Sequence, residues 1–597
     1  MTNESDAAAW SLNPPELSQQ VRSLLGALAG SLGRRKLLLL AVALVAVIGA
    51  TVLAQLRLNA WNQPFFDAIE RRDIGGFGIQ LAVFAVIAGS LLILNVAQMW
   101  LDQTTKVEMR KWLTCDLFAQ WMVPKRAFMI AGAGSIGVNP DQRIHEDARR
   151  LTELSTALAI GFFQSSLLLA SFIGVLWVLS EGIVIELVGR AISIPGYMVW
   201  AALIYAASGS WLSWLVGKPL INMQVERYAR EADLRFALVR VSESADGIAL
   251  DAGEQEERQH LEYELGHVIA IMRRIVNRLT SLTWVTAGYG WFAIIAPIVI
   301  AAPGYFTGQL TFGELMVTVG AFNQVQASLR WFVDNASNIA DWRATLQRVM
   351  SFRSALLETD RLQQSRPRMD IVTGAESLVF DNVVAHIDGR EVSLEDPVVV
   401  IRPGERVLLI GKHGIGKSMF FRAIAGLWPW GSGQLRLPPR ANTMFLPQRP
   451  HIASGSLREA LAYPDRPEDF SDADLTRALA RTELSHLIPS LDREARWDKE
   501  LKEDERRHLF FARLLVHKPQ WIIDDDTICY LNEADRKLVY SLFENELSQA
   551  AVVSITSIGA RNSFYSRAFH LIARAAHKAP DSPASSGSHA SLNAVKT

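Results

Sequence analysis

Five stretches of this 597-residue chain carry no charged side chain for about the length that crosses a hydrocarbon core. All five fall in the first 340 residues, at 37–56, 74–101, 154–180, 191–217 and within 279–313. A sixth run, 315–329, is shorter and bounded by Glu314 and Arg330, so it reads either as a span or as a buried helix of a soluble region. Beyond it the chain has the mixed composition of an ordinary α/β domain. A membrane half is therefore joined to a soluble half.

The soluble half contains Gly411-Lys412-His413-Gly414-Ile415-Gly416-Lys417-Ser418, a complete GxxxxGK[ST] pattern between an apolar strand at 407–410 and a helical run at 419–427. Glycines so placed let backbone N–H groups close around phosphate oxygens, while Lys417 reaches the β and γ phosphates and Ser418 holds Mg²⁺. A glycine-rich exit follows at Gly426, Gly431 and Gly433. The plain alternative is a glycine-rich turn without a ligand. The flanking strand and helix favour the phosphate loop, and with it ATP and Mg.

Lys and Arg placement sets the orientation. Segment 102–153 carries eight of them and 218–278 carries nine, whereas the alternate loops hold chiefly Arg57, Arg71, Arg72 and Arg190. The positive-inside bias puts both termini, both long loops and the nucleotide domain in the cytoplasm. Apolar spacing at Leu234, Ala237, Leu238 and Val241 predicts helical arms reaching toward that domain.

Gly33-Arg34-Arg35-Lys36 imitates a twin-arginine export signal, but the apolar run after it is long enough to span, and an ATP-using domain must stay where ATP is. Residues 1–33 are expected to form an interfacial helix with Val21, Leu24, Leu25 and Leu28 on one side. The expected organisation is an interfacial helix at 1–36, a six-helix membrane domain with arms at 37–345 and a linker at 346–370. A nucleotide-binding domain at 371–575 and a disordered tail at 576–597 complete it. A net charge of −1 gives no reason to expect nucleic acid. Cys115 and Cys529 form no motif, so neither a disulfide framework nor a zinc site is supported.

Six spans, two cytoplasmic arms and a fused nucleotide domain resemble an ABC half-transporter. The implied fold is an α-helical six-span membrane domain of exporter type fused to an α/β P-loop ABC nucleotide-binding domain. Asn59-Ala60-Trp61-Asn62, with Phe65-Phe66-Asp67-Ala68 and Arg72-Asp73, looks like the first external loop of one family. That family holds the bacterial SbmA/BacA transporters, the YddA-type ABC proteins and the peroxisomal fatty-acyl transporters. Asn139-Pro140-Asp141-Gln142-Arg143-Ile144 with Glu146-Asp147, Glu231-Ala232-Asp233 with Phe236 to Arg240, Arg330 to Asn335, and Gly426-Leu427-Trp428-Pro429 are similarly close.

The resemblance implies a homodimer of half-transporters sharing a central cavity in the lipid bilayer of the cell inner membrane. The implied cargo is peptides, corrinoids or other large hydrophilic solutes, or acyl-CoA in the peroxisomal branch. A structural reading explains most matching residues equally well, since Asn139 to Arg143 can cap and pair an arm helix without touching cargo.

The nucleotide domain departs from that family. With Phe511-Ala512-Arg513-Leu514-Leu515 and His517-Lys518-Pro519 as anchors, the signature LSxGEQQR becomes Leu501-Lys502-Glu503-Asp504-Glu505-Arg506-Arg507-His508. Lys502 and Asp504 replace the Ser and Gly that present a hydroxyl and backbone N–H groups to the γ-phosphate bound by the partner subunit. A carboxylate about 5 Å from phosphate costs about 3 kcal/mol per unit charge at an effective dielectric of about 20. Lys502 offsets part of it.

The same register gives Asp525 the Mg²⁺-linked Walker B role and Asp526 that of the water-activating acid, usually Glu. One methylene shorter, Asp526 falls roughly 1 Å short, which costs about 10²-fold where positioning is the catalytic device. Asp524 replaces an apolar strand residue, so a register with Asp524 and Asp525 in the two roles stays open. Asn532 stands at the D-loop aspartate and Ala560 at the switch histidine, where it has no donor. Gln448, in Leu446-Pro447-Gln448, still matches as an Mg²⁺ and catalytic-site residue.

Three readings follow: a transporter that binds ATP but hydrolyses it slowly, an ordinary ATP-hydrolysing ABC transporter, and a proton-gradient-driven SbmA/BacA-like carrier with a relic nucleotide domain. The third needs titratable groups, for which Glu314 and Asp334 are the candidates. The first is adopted, because binding groups survive where hydrolytic groups have gone.

Overall fold

The computed structural model describes residues 17–29, 33–131, 139–181, 185–187, 190–192, 194–362, 367–387, 390–529, 531–557 and 564–575. They divide into two compact units, one within Ser11–Met122 and Ser135–Ser354, the other within Val123–Gly134 and Ala355–Thr597. The tail at 576–597 and the segment before Leu17 lie outside the described residues.

The first unit is helical. Its elements are α1 (Leu17–Ala29), α2 (Arg34–Glu70), α3 (Ile74–Trp121), α4 (Ala148–Ser180), α5 (Tyr197–Glu243), α6 (Ala245–Leu250), α7 (Glu254–Phe306), α8 (Phe312–Asp334) and most of α9 (Ala336–Leu362). Among the described residues five helices are long and apolar enough to cross a membrane: α2, α3, α4 with the turn before it, α5 and α7. The sixth run is a helix longer than its apolar part. α8 has 23 residues, a length of about 35 Å, with Glu314 near one end and Arg330 near the other. α3, α5 and α7 run for 48, 47 and 53 residues, well beyond their apolar stretches, as helical arms require.

Two expectations need correction. The span expected from Ala191 starts later, because Ala191 lies in β2 (Arg190–Ile192), which pairs antiparallel with β1 (Ile185–Leu187). The helix begins only at Tyr197, after Pro195 and Gly196, whose φ of 68° no α-helix continues through. Absence of charge does not distinguish a hairpin from a helix. The Asn59 to Ala68 motif is also no loop but the end of α2, which runs through Pro64 to Glu70. Aromatic packing holds this end: Trp61 stacks on Phe65 at 4.4 Å between centroids, and Phe66 meets Phe312 edge-on at 5.7 Å.

α2 and α8 meet almost backbone to backbone around Gly313 and Gly320. Gly313 N–H donates to Asp67 Oδ1 at 2.8 Å, and Asn59 Nδ2 donates to Val317 O at 3.2 Å. A Cβ at Gly313 would strike Gln63 O, and one at Gly320 would strike Asn59 Oδ1. Ile48, Phe172, Leu176, Ala202, Ala301 and Phe322 form the core beside this contact. Gly320→Leu is therefore expected to destabilise the chain by about 1–3 kcal/mol through overpacking. Thermal unfolding in detergent checks it, with Gly49→Leu, whose added Cβ meets nothing within 4 Å, as the comparison.

The second unit is α/β. Its strands are β3 (Asp370–Thr373), β4 (Leu378–Ile387), β5 (Arg390–Leu394), β6 (Val398–Ile401), β7 (Arg406–Ile410), β8 (Gly431–Leu437) and β9 (Thr443–Leu446). After them come β10 (Gly455–Ser456), β11 (Glu494–Ala495), β12 (Trp521–Asp525), β13 (Ala551–Thr556) and β14 (Arg567–Ala575). One sheet has the order β3-β8-β4-β5-β14-β7-β13-β12-β9, with β6 on β4. From β14 to β9 the strands are parallel, and every residue of β12 and β13 is buried, the pattern of central strands covered on both faces.

The helices of this unit include α10 (Lys417–Ile424), α11 (Leu457–Ala462), α12 (Asp472–Arg481), α13 (Glu503–His517) and α14 (Glu533–Glu544). The helical run expected at 419–427 is α10, which starts two residues earlier and stops at Ile424, because Gly426 turns away at φ 68°.

Candidate nucleotide site

In an open parallel sheet, ligands sit beyond the carboxyl ends of the strands. Four such ends converge here. β7 leads into the 411–418 loop, β9 into Pro447 and Gln448, β12 into Asp526 and Thr527, and β13 into Ser557. Between them lies a cleft of about 630 Å³ whose walls include His413, Gly416, Lys417, Ser418, Gln448 and Asp526.

The loop is shaped before any ligand arrives. Gly414 and Gly416 have φ of 76° and 102°, values that L side chains rarely adopt, and a Cβ at Gly416 would also crowd Ile387 and Val392. Lys417 Nζ donates to Gly411 O at 3.3 Å, folding over the loop, while Lys412 and His413 are exposed at its tip. Ile415 packs into the core and anchors the base. Gly416 caps α10 without a side-chain hydrogen bond, so the first-turn N–H groups of α10 face the cleft.

Ser418 Oγ donates to Asp525 Oδ1 at 3.3 Å, bringing together two of the oxygen ligands expected for Mg²⁺. Gln448 stands exposed on the opposite wall. Asp526 is buried, with a left-handed φ of 65°, and its Oδ1 has no hydrogen-bond partner among the described residues. The Thr556 side chain and the Ser557 N–H hold the carboxyl. Burial pushes the Asp525 and Asp526 carboxyls up, offset chiefly by Ser418 at Asp525 and by Thr556 and Lys417 at Asp526.

Asp524 does not line the cleft. It is 0% exposed, and burial pushes its carboxyl up to about 7 against the N–H groups of Ile528 and Thr527 and the Ser554 hydroxyl. Of the two registers left open, the geometry brings Asp525 to Ser418 and Asp526 to the cleft wall.

The signature segment forms the start of α13, and its own acids occupy that end. Glu503, Asp504 and Glu505 fill the first turn, and Glu505 Oε2 accepts the N–H of Lys502 at 2.9 Å. Asp504 pairs with Arg507 one turn on, an ion pair absent from the sequence reading, and it does not line the cleft, whereas Glu503 and Arg507 do. Asn532 caps α14 by accepting from Asp535 N–H at 2.8 Å, and Asp535 meets the buried His508 of α13 at 3.1 Å. Ala560 lies outside the described residues.

In the helical unit the acidic family-like motif residues Asp147 and Asp334 hold ion pairs, and a further pair joins Arg150 to Asp341. Asp147 takes a two-pronged contact from Arg348 at 2.8 to 3.1 Å, Arg150 meets Asp341 at 2.8 Å, and Arg330 meets Asp334 at 3.3 Å. Glu314 accepts from Thr311 N–H at 2.9 Å in a capping box. The sequence reading missed the ties through Thr527, Ser554 and Thr556. An acid in an apolar strand, Asp524, was their one visible trace.

Residues 24–306 match the family described as ABC transporter transmembrane region 2, and residues 394–528 match the ABC transporter family. The inner membrane ABC transporter ATP-binding protein YddA of Escherichia coli K12 is 27% identical over 520 residues, covering 87% of this chain and 91% of that protein. ABC transporter D family member 2, chloroplastic, of Arabidopsis thaliana is 25% identical over 591 residues, covering 87% and 81%. Human ATP-binding cassette sub-family D member 3 is 24% identical over 373 residues, covering 54% and 55%.

A solved bacterial Atm1-family ABC exporter, with ATP bound, aligns over 89% of this chain and 92% of its own at a TM-score of 0.60. At 16% identity that likeness shows the fold alone. With both halves matched in order along one polypeptide, this chain belongs to the ABC half-transporters, a membrane domain fused to an ABC ATP-binding domain.

Proposed function

We propose that two copies of this chain form an inner-membrane transporter for peptides or other large hydrophilic solutes, with both termini and the nucleotide domain cytoplasmic. In this reading the domain binds ATP with Mg²⁺ and hydrolyses it slowly. Gly411 to Ser418 would hold the phosphates, and Ser418, Asp525 and Gln448 would hold the cation. The preformed loop, the Ser418–Asp525 pair and the partnerless Asp526 Oδ1 fit such a ligand. Bound Mg²⁺ would offset charge on the phosphate oxygens. Asp526 would orient water as a weak general base, with Gln448 beside it.

One observation carries the slow-hydrolysis reading: the first turn of α13 carries three carboxylates, Glu503, Asp504 and Glu505. A helix end that serves a partner's phosphate must present free N–H groups and positive potential. Three carboxylates work against the positive potential of this end. The Arg507 pairing relieves Asp504 but leaves Glu503 on the cleft wall.

The surviving Ser418–Asp525 pair favours the second reading, ordinary ATP-driven transport. Glu314 in its cap and Asp334 exposed beside Arg330 give the proton-driven reading no support. Cargo uptake into membrane vesicles tests the three. Nucleotide binding without brisk turnover, and transport altered by Lys417→Ala, is expected. Uptake abolished by Lys417→Ala alongside brisk turnover would favour the second reading, and uptake lost only on collapsing the proton gradient would favour the third.

A further inference from the structure

β12 contains an acid for which nucleotide binding has no use. Successive strand residues face opposite sides of a sheet, so Asp524 points away from the side where Asp525 meets Ser418. Its Oδ1 accepts the Thr527 N–H at 3.0 Å, its Oδ2 accepts the Ile528 N–H at 3.2 Å, and the Ser554 hydroxyl on β13 donates to it as well. Beyond Ser554 the Tyr565 hydroxyl donates to Ser554 Oγ at 2.9 Å.

A side chain thus replaces backbone acceptors for two consecutive N–H groups, where the chain leaves the sheet. The left-handed Asp526, at φ 65°, lies immediately before them. That conformation is costly for a residue with a Cβ and persists only where its surroundings over-determine it. Thr527 then donates its hydroxyl to Pro447 O at 3.3 Å, next to Gln448. The turn is tied on one side to β13 through Asp524 and Ser554, and on the other to the strand end that carries Gln448.

We propose that Asp524 is a positioning residue for ATP turnover: its buried carboxylate holds the Asp526–Ile528 turn so that Asp526 and Gln448 face the same phosphates. The inference rests on the reading of Asp526 and Gln448 as the hydrolytic groups. An apolar residue at this position would pack within the sheet but leave the buried Ile528 N–H without its acceptor. The turn would then relax, and Asp526 with it.

Three forms of the full-length chain in detergent test this: wild type, Asp524→Leu and Asp524→Asn. Single-turnover hydrolysis of labelled ATP by excess protein, followed for hours, reads even slow rates. Asp524→Leu is expected to lower that rate at least about tenfold while the ATP dissociation constant stays within about threefold. Amide exchange across 526–529 is expected to quicken by about tenfold or more in the same variant. Asp524→Asn keeps an acceptor oxygen and is expected to recover most of the rate. Should Asp524→Leu fail to fold, Ser554→Ala removes one donor without adding bulk, and its rate is expected to fall about threefold at unchanged ATP affinity.

An unchanged or faster rate in Asp524→Leu, or in Ser554→Ala where it stands in, overturns the proposal. So does a fall in rate matched by equal losses of ATP affinity and melting temperature in both Asp524 variants. The wild-type affinity and multiple-turnover rate judge slow hydrolysis separately, since the Asp524 proposal is read from ratios among variants.

Discussion

Lys417→Ala is expected to weaken ATP binding by about 100-fold or more. The Lys417 ammonium folds over the phosphate loop, 3.3 Å from Gly411 O, and offsets part of the burial that pushes the Asp525 and Asp526 carboxyls up. Its removal takes away charge-assisted hydrogen bonds worth about 1.5–3 kcal/mol each. It also leaves two carboxylates facing the phosphates without the cation that balances them. Together these reach about 3 kcal/mol, or about two orders of magnitude in affinity. Titration of the purified chain with ATP in the presence of Mg²⁺ measures it. An unchanged melting temperature without nucleotide shows that the loss lies in binding. Affinity within a few-fold of wild type would mean that the loop does not grip the β and γ phosphates as its shape implies.

Rebuilding the missing groups is expected to raise hydrolysis by about 100-fold. The combined variant carries Lys502→Ser and Asp504→Gly at the start of α13, Asp526→Glu after β12 and Ala560→His beyond β13. Asp504→Gly frees the helix end of one carboxylate and of its tie to Arg507. Asp526→Glu supplies the missing methylene, although glutamate at φ 65° carries strain of about 1–2 kcal/mol, which limits the gain from that change alone. Groups that act as a unit are strongly non-additive, so the single variants are expected to gain far less than the combination. Phosphate release at saturating MgATP reads the effect. No gain in the combined variant would show that these departures do not limit turnover.

The division into an apolar helical half and an α/β half, the glycine loop and the long helices were legible because each is written locally, in runs of apolar residues, a fixed glycine spacing or a helical period. Ala191 misled for the same reason: a charge-free run has no signal for the β1–β2 hairpin, and only Pro195 and Gly196 interrupt it. The Gly313 and Gly320 contacts with Gln63 and Asn59 join residues some 250 positions apart, which no periodicity reports. In the nucleotide site Ser418 and Asp525 were legible as types. Their meeting, and the ties from Asp524 to Thr527 and from Thr527 to Pro447, depend on how parallel strands end side by side. The charge at Asp504 was visible in the sequence, whereas its pairing with Arg507 depends on the two side chains sharing one face of α13.

Steady-state ATP hydrolysis by the purified full-length chain, measured beside its ATP affinity, tests retained grip with impaired cleavage most directly. The expected result is MgATP affinity in the micromolar-to-millimolar range common among enzymes, with turnover well below about one per second. Turnover of several per second that disappears in Lys417→Ala would contradict it.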